Sequence, residues 1–94
     1  MKTKQQNHIV KRAGHTEDYD ERKLYASIYT SCVAVRESAP TAELIASKVC
    51  EDVGGWLSNK HEVTSKDIRK MASISLHEYN HDAAWLYRHQ RNIS

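Results

Sequence analysis

The chain has 94 residues, close to the size of one domain on the usual prior of about 100–200 residues. Its 14 basic and 12 acidic residues give a net charge of +2, and 39% of its residues are hydrophobic. Such a small charge does not indicate nucleic acid as a partner, and no apolar run approaches the roughly 20 residues of a membrane span. Two cysteines cannot build a disulfide scaffold. Since the charged first residues precede no apolar segment, we expect no secretory signal and a cytoplasmic location.

Residues 1–7 are polar, and we expect a flexible tail there, ahead of a single domain over residues 8–94. Strand-like runs at residues 8–12 and 15–19 surround Ala13-Gly14. This pattern predicts a tight hairpin, because glycine readily adopts the positive φ of such turns. A third short strand is predicted over residues 60–63.

Two helices are predicted from apolar residues that recur every three or four positions. The first begins after Asp20, a favourable N-cap residue, and we expect Ser38-Ala39-Pro40 to end it. The second is expected to open near Thr41 and to end near Asn59. The predicted buried positions of these helices are Leu24, Ile28, Cys32, Val35, Leu44, Ile45, Val49, Val53, Trp56 and Leu57.

Two more helices follow the third strand. Thr64 with Asp67 resembles a capping box at the start of the third helix, and Asn80 is expected to cap the fourth. The order β-β-α-α-β-α-α predicts an α+β, mostly helical fold, a four-helix bundle capped by a small three-stranded β-sheet. The predicted apolar positions here are Ile68, Met71, Ala72, Leu76, Ala83, Ala84, Leu86 and Tyr87.

Residues 77–81 match the zinc-protease pattern His-Glu-x-x-His, in which two histidines on one helix bind the same metal. The third helix is expected to end inside the motif, at Asn80. Apart from His89, no third ligand is evident. Two surface histidines at a helix–helix turn are therefore the favoured interpretation. A small zinc hydrolase that uses His77, Glu78 and His81 remains the remote alternative.

Nucleophilic catalysis and a glycine-rich phosphate loop find little support in the sequence. Cys32 and Cys50 lie on apolar helix faces, which favours buried structural thiols over a nucleophile. Gly14 is isolated, and Gly54-Gly55 is not followed by a Lys-Ser or Lys-Thr pair. We therefore predict neither catalytic residues nor metal ligands.

The hairpin and the helix after it carry a denser cluster of charges. Lys11, Arg12 and Lys23 accompany Glu17 and Asp20. Cations near a helix N-terminus oppose the helix dipole, so the position of Lys23 suits an anion held nearby. Taken alone, a solvated charged hairpin is the competing interpretation.

Three segments together resemble the ATP-cone domain, the nucleotide-sensing module of ribonucleotide reductases and of the repressor of reductase genes. The segment IVKRAGHTEDYDERKL is similar to the family's opening signature. EVTSKDIRKM is similar to the entry of its third helix, and AAWLYRHQR to its closing Ala-x-x-Tyr-x-x-x-Arg. The resemblance covers roughly residues 8–92, and the family's fold is the bundle with a three-stranded cap. The Ala13-Gly14 turn departs from the family's usual Asp/Asn-Gly.

The resemblance implies a nucleotide-binding site whose residues fall into five groups. These are Lys11 and Arg12, reinforced by Lys23, for the phosphates, Glu17 and Asp20 for the base or sugar, Ile9 and Tyr19 as apolar walls, Thr64 or Ser65 for a hydroxyl contact, and Arg88 and Arg91 for a last phosphate contact. Adjacent strand residues point to opposite faces. Lys11 and Arg12 therefore need a twisted or bulged hairpin, or they bind different phosphates.

The function implied by the resemblance is that of an ATP- or dATP-binding regulatory domain without catalysis of its own, linked to ribonucleotide reductase or its control. Mg²⁺ is the expected companion of the nucleotide. The expected partners are a second copy of the chain or a reductase subunit. A nucleotide-responsive DNA-binding regulator is the alternative, although the repressors carry a four-cysteine zinc ribbon that two cysteines cannot supply.

Overall fold

The computed structural model describes residues 9–12, 15–60 and 62–89, and it describes side chains within residues 19–60 and 62–89. The predicted tail, residues 1–7, and the predicted turn at residues 13–14 lie outside these ranges. In chain order the elements are β1 (Ile9–Arg12), β2 (His15–Asp18), α1 (Glu21–Ala34), α2 (Ala39–Leu57), β3 (Glu62–Thr64), α3 (Ser65–His77) and α4 (His81–His89).

Helix α1 begins where the sequence predicts and ends earlier. The Asp20 carboxylate caps it by accepting hydrogen bonds from the backbone N–H groups of Arg22 and Lys23. The helix stops at Ala34 because Arg36 turns into the left-handed region, at φ 75°. The N–H groups of Arg36 and Glu37 then bond back to the carbonyls of Val33 and Cys32, the hydrogen bonds of a Schellman motif. The prediction that Ser38-Ala39-Pro40 ends this helix is therefore wrong.

Pro40 instead lies in the first turn of α2, where a missing backbone N–H costs nothing. Ser38 is the N-cap, and its hydroxyl accepts a hydrogen bond from the Thr41 N–H at 3.3 Å. The helix thus opens at Ala39, two residues before the predicted start. It continues to Leu57, through Gly54 and Gly55.

The caps of the last two helices confirm the sequence predictions. Thr64 and Asp67 form a reciprocal capping box at the start of α3, with hydrogen bonds of 3.0 and 3.3 Å. Asn80 caps α4 through a 2.8 Å hydrogen bond that its side-chain oxygen accepts from the Ala83 N–H. The short connection between the two helices makes α3 and α4 antiparallel neighbours.

The core lies between the four helices. α1 packs against α2 and α4, and α3 packs against the same two helices. Of the apolar positions predicted to be buried, Leu44 is 60% exposed, and Val35, Trp56, Met71 and Leu86 are half-buried. The fully buried large side chains of the core include Ile28, Val49, Val53, Leu57 and Leu76.

Three short segments of extended backbone pair with one another next to α3. β1 runs antiparallel to β2, with Ile9 opposite Asp18, and parallel to β3, with Lys11 beside Thr64. Each segment has only three or four residues, fewer than the five or six of a typical strand.

The predicted fold class, a bundle capped by a three-stranded sheet, has to be corrected in its cap. Among residues with described side chains, the one strand is β3, and within it only Val63 is buried. Every other described core residue belongs to a helix, except for partly buried residues in connections such as Tyr19 and Val35. A three-residue strand offers one or two side chains to each face, too few to close an end of a bundle. The described side chains thus form a four-helix core with one short strand attached, and they show no sheet face over its end.

Candidate functional site

β1, which carries the predicted phosphate-binding cations, lies between β2 and β3. Its pairing with β2 is regular from Ile9 to Arg12, with no extra residue on either strand. No bulge within this pairing therefore brings Lys11 and Arg12 to a common side, and the two positions are expected to alternate. The predicted site side chains that lie outside the described part of the structure are Ile9, Lys11, Arg12, Glu17 and Arg91.

Two helices begin from the strands on either side of β1. α1 starts three residues after Asp18, the register partner of Ile9. α3 starts directly after Thr64, the register partner of Lys11. These partners are two residues apart on β1, which corresponds to about 7 Å along a strand. Because the N-terminus of a helix carries a partial positive charge, both helix starts contribute positive potential on this side of the molecule, which Asp20, Glu21 and Asp67 offset in part.

The start of α1 combines a structural carboxylate with a free cation. One oxygen of Asp20, Oδ1, accepts hydrogen bonds from the N–H groups of Arg22 and Lys23, at 3.0 and 3.4 Å. The Asp20 side chain thus stabilises the helix, whatever else it binds. Lys23 lies exposed in the first turn and has no ion-pair partner within the described side chains. Its ammonium group is available for an anion.

Tyr19 lies between the second strand and the core. Its ring packs against the core cluster, and its hydroxyl is buried without a hydrogen-bond partner among the described residues. Burial raises the pKa of this phenol, and the neighbouring Cys50 and Glu21 raise it further. Because the hydroxyl is directed into the protein, only the outer edge of the half-buried ring can line a ligand.

At the start of α3, two hydroxyl groups differ in what they already bind. Thr64 Oγ1 accepts the 3.0 Å hydrogen bond from the Asp67 N–H, so this side chain is committed to the helix cap. Ser65 is half-buried, and its hydroxyl has no hydrogen bond within the described residues. The sequence left open which of these two residues contacts a ligand, and the geometry favours Ser65.

Arg88, predicted to make a last phosphate contact, lies exposed on α4 in a groove of about 860 Å³ between α3 and α4. The groove also contains Lys66, Lys70 and the exposed Trp85. None of these three residues is predicted from the sequence to be functional. The sequence does carry a signal for this surface. Lys66, Lys70, Ile74 and Glu78 are spaced four residues apart, which places them along one side of α3 and its C-cap residue.

The His-Glu-x-x-His match is divided between two helices, because α3 ends at His77 and α4 begins at His81. The two imidazole rings stack face to face, 3.9 Å apart and 13° from parallel. His89, the candidate third ligand, stacks on Trp85 and contacts the Trp85 carbonyl at 2.7 Å. Within the described residues, no group of three or more metal-ligating side chains is arranged to hold an ion. This geometry does not support the zinc hydrolase alternative.

Both cysteines are buried and unpaired, as the sequence predicts. Burial raises the pKa of Cys32 to about 11, with help from Glu37, and that of Cys50 to about 12, with help from Glu21. Because the thiolate is the reactive form, both groups are protonated and unreactive at neutral pH. Their burial favours the structural role that the sequence predicts.

Comparison with known proteins supplies one match. The sequence model of the family described as the ATP cone domain matches residues 7–93, nearly the whole chain. The predicted resemblance is thereby confirmed, and it indicates a nucleotide-sensing regulatory role. No curated protein and no solved structure shows significant similarity to the chain. Among the described helices, none is both long and apolar enough to cross a membrane.

Proposed function

Since the chain belongs to the ATP cone domain family, we propose that it binds ATP or dATP, with Mg²⁺, as the regulatory switch of a ribonucleotide reductase or of the control of its genes. It has no catalytic activity of its own in this proposal. Its partner is a second copy of the chain or a reductase subunit. The nucleotide changes how the domain associates with that partner.

The observation that supports this proposal best is the convergence of two of the three sequence motifs on β1. Lys11 lies beside Thr64, and the strand opposite leads into Asp20 and Lys23. A triphosphate needs several cations and N–H donors within a short distance. The cations of β1, the ammonium group of Lys23 and two helix starts provide such a set.

The residues divide the nucleotide between them. Lys11 and Lys23 bind phosphate oxygens, and Arg12, at the next position of a regular strand, binds a different phosphate of the same chain. Ser65 supplies the hydroxyl contact, because Thr64 is committed to the α3 cap. Glu17 and the second oxygen of Asp20 face the base or sugar, between walls formed by Ile9 and the exposed edge of Tyr19.

Isothermal titration calorimetry of the chain with ATP, dATP and ADP, with and without Mg²⁺, tests the proposal. GTP serves as the control for base recognition. We expect saturable heat with the adenine nucleotides and a matching increase in melting temperature, since a ligand that binds only the folded state stabilises it. The absence of both heat and stabilisation at millimolar nucleotide would refute the proposal.

Two neighbouring substitutions separate ligand binding from folding at the hydroxyl pair. Ser65→Ala is expected to weaken ATP binding while leaving the free energy of unfolding within about 0.5 kcal/mol of the parent. Thr64→Ala removes an N-cap and should cost about 1 kcal/mol of stability, with little loss of affinity once the protein is folded. The reverse assignment of the two effects would place the hydroxyl contact at Thr64.

A further inference from the structure

The outward side of α3 and α4 carries the same ordered pattern twice. Along α3 and its C-cap residue, Lys70, Ile74 and Glu78 follow at intervals of four residues, so that a base, an apolar residue and an acid lie in one row. These three side chains line the groove between α3 and α4. On the described surface each is exposed, and Ile74 is 50% exposed.

On α4 the row is Asp82, Trp85 and Arg88, at intervals of three residues, with all three lining the same groove. Because α3 and α4 are antiparallel, the acids of both rows meet at one end and the bases at the other. Lys66 adds a further cation at the basic end. We call this surface the α3/α4 face. Arg69 also lines the groove, and five other charged side chains of the face have no ion-pair partner among the described residues: Lys66, Lys70, Glu78, Asp82 and Arg88.

The centre of the α3/α4 face is unusually apolar for a solvated surface. Trp85 is 60% exposed, and with Ile74 it separates the acidic end from the basic end. The indole ring stacks on His89, with ring centroids 4.1 Å apart, which holds it in place before any partner arrives. An ordered, exposed tryptophan between charged ends is typical of the centre of a protein–protein interface, where tryptophan often dominates binding.

We propose that the α3/α4 face is a self-association surface on which a second copy of the chain packs antiparallel, about a two-fold axis that passes near Trp85. In a two-fold interface the same patch is used by both copies. The axis lies in the plane of the interface and runs across the helices. Rotation by 180° about it brings the basic end of each copy onto the acidic end of the other. It also places the two copies of Trp85 and Ile74 together at the dry centre.

The distribution of charge selects a second copy over other occupants. An acidic peptide or a nucleic acid would meet Glu78 and Asp82, and a basic peptide would meet Lys66 and Lys70. Like charges at an interface cost affinity and exclude partners. A copy of the same face is complementary at both ends. The proposal names the surface for the self-association in the proposed function, but it does not depend on nucleotide binding.

Analytical ultracentrifugation over a wide range of protein concentration, with and without ATP, measures the association directly. Trp85→Ala should weaken it by at least about 30-fold, the usual effect of truncating a hot-spot residue. The matched control is Leu44→Ala, which removes an apolar side chain on α2 that is also 60% exposed. Leu44→Ala should associate like the parent.

A charge exchange provides a second measurement that does not rely on Trp85. Lys66→Glu/Lys70→Glu/Arg88→Glu makes both ends of the face acidic, and Glu78→Lys/Asp82→Lys makes both ends basic. Each variant alone should fail to self-associate, whereas an equimolar mixture should form a heterodimer that dissociates as salt is added. Circular dichroism confirms that each variant remains helical.

Three outcomes would overturn the proposal. The parent protein could stay monomeric in every condition, Leu44→Ala and Trp85→Ala could weaken self-association equally, or the mixture of the two charge variants could form no heterodimer. Calorimetry on Trp85→Ala separates this proposal from nucleotide binding. If Trp85→Ala binds ATP like the parent but does not associate, both proposals stand. If the parent associates through this face but binds no nucleotide, only the proposed function fails.

Discussion

Asn80 joins the two halves of the bundle, and its replacement by alanine is expected to destabilise the protein by roughly 2–3 kcal/mol. Its side-chain oxygen accepts the α4 capping hydrogen bond from the Ala83 N–H at 2.8 Å, and its Nδ2 donates to Glu37 Oε2 at 2.6 Å. Loss of an N-cap costs about 1 kcal/mol. A hydrogen bond to a charged group contributes about 1.5–3 kcal/mol, and we take the lower end because Glu37 is half-exposed and water can reach it.

Urea unfolding followed by helical circular dichroism measures this effect. The midpoint should fall for Asn80→Ala with an unchanged m-value, and the melting temperature should drop by roughly 8–24 °C for a domain of this size. Asn59→Ala is the matched control, since Asn59 is exposed beyond the end of α2 and its side chain has no hydrogen bond within the described residues. Its change should stay within about 0.5 kcal/mol.

A double-mutant cycle with Glu37→Ala isolates the link across the bundle from the cap. The coupling energy between Asn80→Ala and Glu37→Ala should reach about 1 kcal/mol. Asn80→Asp should keep the cap, because Asn and Asp cap helices equally well, but should place a carboxylate against Glu37. A coupling near zero, or equal stabilities of Asn80→Ala and Asn59→Ala, would refute this account of the turn.

The remaining predictions concern the tyrosine, the thiols and the phosphate-binding strand. Tyr19→Phe removes a buried hydroxyl without a described partner, and urea unfolding should show equal or higher stability, by up to about 1 kcal/mol; clear destabilisation would reveal a partner for the hydroxyl. The unfolded chain loses thiol protons near pH 8.5, whereas folding raises the pKa of Cys32 to about 11 and of Cys50 to about 12. Stability should therefore fall as pH rises from about 8.5 to 12, and less steeply in a double alanine variant; identical slopes would contradict the assignment. Lys11→Ala should weaken ATP binding by about 10- to 150-fold in calorimetry, while His77→Ala leaves it unchanged, and the opposite result would move the site to the helix–helix turn.

The starts of α1, α3 and α4 were predictable because their signals are local. Asp20, Thr64 and Asn80 each place a side-chain acceptor two or three residues before the N–H group that it caps. The end of α1 was not predictable in this way. Arg36 adopts the left-handed conformation that glycine usually provides. An arginine side chain gives no signal for this conformation, so the sequence indicates Pro40 as the residue that ends the helix.

Burial was harder to predict than helix position. Leu44 has the spacing of a core residue, but it faces solvent, whereas Ser31 is buried and bonds its hydroxyl to the Ser27 carbonyl. Helical periodicity identifies an apolar side without fixing its width, and the neighbouring helices decide where it ends. The prediction of a three-stranded sheet over one end of the bundle was wrong for a related reason. Strand propensity predicted the strands, but it cannot tell whether such short segments cover the helices.

The candidate site, too, was predictable from the sequence only in part. The family resemblance supplied its residues, and the register adds that Lys11 lies beside Thr64. The preference for Ser65 over Thr64 rests on the hydrogen bond that Thr64 Oγ1 accepts from the Asp67 N–H, a contact that the capping-box pattern predicts and the structure confirms. The α3/α4 face could not be predicted from the sequence of either helix alone. It depends on the antiparallel packing of α3 and α4, which brings the bases of the two rows to one end and the acids to the other.

Nuclear magnetic resonance of the ¹⁵N-labelled chain during an ATP titration tests the central claim most directly. If the nucleotide binds at β1 and the starts of α1 and α3, the largest backbone amide shifts should belong to Lys11, Lys23 and Ser65, while Ile74 and the indole N–H of Trp85 change little at low protein concentration. Shifts concentrated at Ile74 and Trp85, with Lys11, Lys23 and Ser65 unmoved, would contradict the account and place the nucleotide in the groove between α3 and α4.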